Sequence, residues 1–153
     1  MGFGDDVAAW CEESPKQADM VLRKVAIDLF SSVIFRTPVD NGFHRGAWEC
    51  TQGTPGKGNP GVPDRGGSST VNSAAAVVQS GPMDSEYWLA NSAPAINILE
   101  YGGYPTRGGQ GPSNGPRTVG GYSRQAPRGM VRVAIQEFEG FFNARAREGG
   151  FSD

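Results

Sequence analysis

Apolar residues recur along this chain at two different periods. Val7, Ala8, Trp10 and Cys11 fall within residues 4–13, which predicts a short first helix. Ser14-Pro15 then restarts the helical pattern, with Ser14 placed as the cap and Pro15 at the first helical position. Leu22, Val25, Ala26, Leu29, Phe30 and Val33 follow at spacings of three and four, while Lys24, Asp28 and Ser31 fall on the other face. This predicts an amphipathic helix of about 20 residues, the strongest periodic signal in the chain. Pro38 pushes Thr37 out of helical geometry and ends it.

Residues 46–52, around Trp48, predict a strand, and Glu86–Asn91, rich in aromatic side chains, predicts a second. Between them residues 68–79 are ambiguous, and Ala74–Val78 allows a short helix there. Pro94 opens another short helix with Ile96 and Leu99, with or without Ile98, turned inward. Gly102-Gly103 stops it. A last helix is predicted from Pro127 to about Arg147, with Val131, Ala134, Ile135, Phe138, Phe141 and Phe142 as its apolar stripe. Arg145 and Arg147 suit the negative end of its dipole. This order predicts an α+β fold. A small antiparallel sheet packs against a long N-terminal helix and a C-terminal helix, in a single domain over residues 1–153.

Composition adds one feature to that outline. The 153 residues include 23 Gly and 11 Pro, well above the usual share of about 12%. Residues 53–67 hold six Gly and three Pro, and residues 102–129 hold nine and four. The excess therefore marks two long flexible insertions, 53–67 and 102–124, in an otherwise ordinary globular chain. No G-x-y period is present, and no apolar run is long enough for a membrane span. The start, Met1-Gly2-Phe3-Gly4-Asp5-Asp6, has no basic or apolar leader pattern, so no secretory signal is expected. Cys11 and Cys50 form no CxxC and are expected to be a reduced pair of ordinary residues.

Charge is unevenly spread. The formal net charge is −2. No acidic residue lies between Glu100 and Glu137, yet Arg107, Arg117, Arg124, Arg128 and Arg132 do. Such a basic segment on an acidic body can meet an acidic protein surface or a phosphate backbone. Motifs for catalysis are missing. His44 has no second histidine and no suitably spaced cysteine beside it, and Ser-x-x-Lys, GxSxG and P-loop patterns are absent. No catalytic, metal or cofactor-binding residue is assigned, no cofactor is expected, and an enzyme is not.

Three ordered segments carry more information. The first is Thr37 to Trp48, in which Asp40 can bond backbone amides two or three residues on and Gly42 can take a positive φ. The second runs from Asn91 to Gly102, and the third from Gly121 to Arg132. Together they resemble a family of long-tailed bacteriophage neck proteins, also called tail-completion, head-tail joining or minor tail proteins. That family shows T-P-V-D-T-G-x-L-R-x-S-W, then N-x-x-P-Y-A-x-x-L-E-Y-G, then G-x-S-x-Q-A-P-x-G-M-V-R. Thr37, Pro38, Val39, Asp40, Gly42, Arg45 and Trp48 match the first pattern. Asn91, Pro94, Leu99, Glu100, Tyr101 and Gly102 match the second, with its Tyr replaced in the Ala93-Pro94-Ala95-Ile96 context. Tyr122 through Arg132, including Gln125, Pro127 and Gly129, lies close to the third. Asn41, Phe43-His44, Ala47 and a longer loop between Gly102 and Gly121 depart from it.

What the resemblance implies is structural. It implies a virion protein of the neck, assembled in the host cytoplasm, forming a homo-oligomeric ring between the head-side connector or stopper ring and the tail terminator or tail tube. Six copies match the tail's symmetry, and twelve would match the portal. Genomic DNA passes through the lumen without sequence-specific binding, and no membrane is involved. The alternatives are a tail terminator ring that caps the tube, or a DNA-contacting adaptor. Under these readings the five arginines face either neighbouring proteins or DNA, with protein preferred. Within the fold, Arg45 and Glu100 are expected to pair.

Overall fold

A computed structural model describes residues 2–59 and 62–150. Pro60 and Gly61 of the first insertion lie outside the described residues. The order is α1 (Phe3–Glu13), α2 (Pro15–Arg36), α3 (Phe43–Gly46), β1 (Glu49–Gln52), α4 (Ser68–Ser80), β2 (Tyr87–Ala90), α5 (Ile96–Tyr101), β3 (Thr118–Val119), β4 (Tyr122–Ser123), α6 (Val131–Gln136) and α7 (Phe138–Glu148). The class is α+β, as expected. β1 and β2 form a two-stranded antiparallel sheet with Cys50 opposite Leu89. β3 and β4 make a second, smaller hairpin inside the second insertion.

α2 organises the molecule. Its 22 residues span about 33 Å, and each half serves a different core. The first half buries Ala18, Val21 and Val25 with Trp10 of α1 and Phe142 and Ala146 of α7. Trp10 and Phe3 meet the Phe142 ring edge to face, with centroids 6.1 and 5.1 Å away. The second half buries Val33 and Ile34 with Trp48, Ala74, Leu99, Ala126, Met130 and Ala134. Arg145 clamps α7 to α2 through a two-point pair with Asp28, at 2.7 and 2.9 Å.

Several expectations shift. Ser14 sits at the α2 N-cap, but its side chain caps nothing. It closes α1 and opens α2 at once, donating its N–H to Trp10 and accepting from Ala18. The buried face of α2 is rotated from the one expected, because Ala18, Val21 and Ile34 are buried while Leu22 is exposed. The first strand begins at Glu49, since Phe43–Gly46 is helical. The ambiguous stretch is helix α4. The helix after Pro94 begins only at Ile96, because Ala95 has a left-handed backbone. The last helix is two helices, and it begins at Val131, because Gly129 at φ 88° cannot be helical. The break at Glu137 lets α6 pack on one core and α7 on the other. Ile135 and Phe138, expected inside, turn outward as a result, 58% and 37% exposed.

Candidate functional site

The three segments singled out by sequence come together, each pair joined by side-chain hydrogen bonds. Asn91 joins the first and second. Its amide donates to the His44 carbonyl at 2.8 Å and its carbonyl oxygen accepts from Ala93 N–H at 2.9 Å. His44 Nε2 lies 2.6 Å from the Pro94 carbonyl, closing the same junction. Gln125 joins the first and third, accepting from Val39 N–H at 2.8 Å and donating to the Val39 carbonyl at 2.9 Å. Its side-chain amide thus stands in for a strand partner.

Glu100 joins the second and third. One carboxylate oxygen accepts from Met130 and Val131 N–H at 2.7 and 2.8 Å, and the other from Arg132 N–H at 3.0 Å. These N–H groups open α6, whose own N-cap residue, Met130, offers no side-chain oxygen. A carboxylate from 30 residues away therefore supplies the cap and meets the positive end of the helix. Burial alone would raise the Glu100 carboxyl, but those three backbone donors and Arg132 hold it below its ordinary value. Gly129 makes the approach possible, because a side-chain carbon there would collide with the Glu100 carbonyl oxygen.

The expected Arg45–Glu100 pair is not formed, because both side chains are committed elsewhere. Glu100 pairs with Arg132 at 3.2 Å. Arg45 donates to the carbonyls of Phe35 (2.8 Å), Thr37 (2.9 Å) and Arg65 (2.7 Å). It thus satisfies the end of α2 and ties the first insertion to it. Asp40 is exposed and does not bond the amides ahead of it; Asn41 Oδ1 takes Phe43 N–H instead. Gly42 has the expected positive φ, 90°. Trp48 is buried and donates Nε1–H to the Thr37 hydroxyl at 2.8 Å, which itself donates to the Val33 carbonyl. Tyr101 is 64% exposed, with the Arg132 guanidinium 5.0 Å from its ring centroid. Gly102 ends α5 with its backbone against the Tyr122 ring, and Pro127 is exposed and bridges to Gly129.

The five arginines do not form one patch. Arg132 serves Glu100, and Arg124 Nε donates to the Gly115 carbonyl at 2.8 Å. Arg107, Arg117 and Arg128 are exposed, with no side-chain partner among the described residues. Cys11 and Cys50 are free, and burial pushes the Cys50 thiol up to about 11. Among the described residues, no three His, Cys, Asp or Glu side chains converge as a metal site would require. No helix among them is long and apolar enough to cross a membrane.

A second feature was not singled out from the sequence. An open groove of about 520 Å³ runs beside α2, floored by Leu22, Ala26, Leu29 and Phe30 and flanked by residues 83–87. Five of the six residues of the expected buried stripe, Val25 included, therefore line a half-open surface. α2 carries more apolar positions than one buried face can use, and that surplus was the available signal. Asp84 and Glu86 stand exposed on the rim. At one end the Cys11 thiol is raised, first by burial and then by the Asp84 charge.

The chain matches no family model, no curated protein and no solved structure.

Proposed function

We propose that this chain is a structural subunit of the neck of a long-tailed bacteriophage, a tail-completion protein that forms a ring between the head connector and the tail tube. One observation carries the reading. The segments that resemble the neck family are those that Asn91, Gln125 and Glu100 tie together. Residues that a resemblance rests on, and that also hold the fold together, favour a shared architecture over chance agreement in loops. The surface supports an assembly role as well. Trp88, Tyr101, Ile135 and Phe138 are large side chains left outside, available for contact with a neighbour.

On this reading the protein does mechanical work, joining unlike rings, and needs no reacting group. The test is imaging of the intact particle at a resolution that traces side chains. This chain is expected as a ring of six between connector and tube. Density for it capping the tube end would make it a tail terminator. Its absence from the neck and tail would overturn the reading. Tight, salt-sensitive DNA binding by the isolated subunit would favour the adaptor reading instead, through Arg107, Arg117 and Arg128.

A further inference from the structure

We infer that the second insertion is an arm that docks into the α2 groove of another copy of this chain. The inference deepens the ring reading by naming its subunit contact, and it rests on surface chemistry that stands without the phage assignment.

The arm is preorganised. Pro105 bridges Pro112, and the turn between them is closed by Gly109 N–H donating to the Thr106 carbonyl at 2.8 Å. The Thr106 hydroxyl donates to the Gln110 carbonyl and accepts its N–H. This places Arg107 at an exposed tip. Arg117 stands exposed before β3, and Val119 at the end of that strand is 37% exposed. With Pro105, Pro112 and Pro116 also exposed, the arm offers positive charge on a rigid, apolar frame.

The groove offers the complement. Its floor is apolar, and its flank from Gly81 to Ala90 carries Asp84 and Glu86 with no basic residue. Adjoining α1 carries Asp5, Asp6, Glu12 and Glu13, again with no basic residue. On α2 itself, Asp19 and Arg23 neutralise each other at 2.8 Å. Among the charged side chains that line the groove, Asp19, Asp84 and Glu86 stand against Arg23 alone, so the lining is net negative, which attracts a basic arm and repels a second groove.

A subunit does not fill its own groove. The arm's base lies against Pro38 and Val39, beyond the far end of α2. From Ala26 to Arg36 is ten residues of helix, about 15 Å. Arm and groove are thus two different surfaces of one chain. A contact between them is head-to-tail, the type that closes into a ring when the rotation allows.

The test uses charge reversal on each face of the full chain. One variant carries Arg107→Glu and Arg117→Glu. The other carries Asp84→Asn and Glu86→Lys, with Asn kept at position 84 because its backbone is left-handed at φ 57°. Association is measured by sedimentation and native mass spectrometry, with circular dichroism confirming that both variants fold. The wild type is expected to self-associate, more weakly as salt rises. Each variant alone is expected to associate at least about tenfold more weakly. An equimolar mixture is expected to recover association, in assemblies with equal numbers of the two variants, because each reversed face then meets its complement. Wild-type association by either variant alone, no recovery in the mixture, or a wild type that stays monomeric up to about 1 mM would each overturn the inference. A ring in the particle joined through other surfaces would overturn it while leaving the neck reading intact. Recovery in the mixture, with the chain absent from the neck, would do the reverse.

Discussion

The two Gly/Pro-rich segments have similar composition and opposite partners. The first bonds outward, to the body of the protein. Asn59 N–H donates to the Ala47 carbonyl, Asp64 N–H to the Gly42 carbonyl and Gly58 N–H to the Glu49 carboxylate, all within 3.0 Å. Asp64 also caps α4, accepting from Gly67 N–H and from the Thr70 N–H and hydroxyl. The second bonds inward. Among the described residues from Tyr104 to Gly121, each hydrogen bond goes to a partner within 104–124. Glycine and proline therefore serve two ends. In the first segment they let backbone lie flush on α3 and β1, and in the second they build a projecting frame. Composition alone does not distinguish a clasp from an arm.

The largest way to break that contrast is at Gly46. A side-chain carbon there would strike the Val62 carbonyl oxygen and sit 2.8 Å from Asp64 N. Gly46→Val is expected to cost about 3 kcal/mol in denaturant unfolding, because the clasp must lift off α3. Glu100→Ala comes next, at about 2 kcal/mol, because it leaves the buried amides at the start of α6 unpaired. Gln125→Ala is expected to cost about 1 kcal/mol, since it removes two backbone bonds at a wet surface. Removing residues 106–110 and bridging with two glycines should change stability by no more than about 0.5 kcal/mol, since those residues bond only within the arm. A large loss from the arm deletion, or none from Gly46→Val, would erase the contrast.

Acid sharpens it further. The Glu100 carboxyl is buried and that of Asp64 partly so, which raises both, but their hydrogen-bond donors outweigh burial and both end below their ordinary values. Their stabilisation is then complete above the unfolded values, 3.8 and 4.5, and is lost as pH falls through the lower folded ones. Urea midpoints are expected to fall between pH 5 and pH 2. Asp64→Asn with Glu100→Gln should flatten that fall, while Arg107→Glu should not.

Much of the fold was legible because it depends on local pattern. α1, α2, the two main strands and a helix entered near Pro94 follow from periodicity and proline placement. What stayed hidden depends on distant residues. Nothing near Glu137 marks the break between α6 and α7, because it arises from two cores pulling the same stripe in different directions. The rotated face of α2 has the same origin, since an outer stripe and an inner stripe look alike in one dimension. The motif residues were identifiable, yet their partners were not. Arg45 and Glu100 flank motif turns and have opposite charge, which suggested a pair. The carbonyls at the end of α2 and the amides at the start of α6 were nearer claimants. Backbone groups carry no sequence signature, so that competition cannot be seen before folding.

The base of the arm has one more consequence, in chain length. Tyr104 N–H donates to the Gly121 carbonyl, and Gly121 lies against Gly103, so the two ends of the segment already touch. Closing a longer loop between ends that meet costs only about 0.6 kcal/mol per doubling of its length. Gly108-Gly109 at the tip is therefore a place where a short epitope or a fluorescent label can be spliced in with little loss of stability. A chain so marked would show where each copy sits in an assembled particle, and the tag's own mobility would report whether the arm beneath it is held.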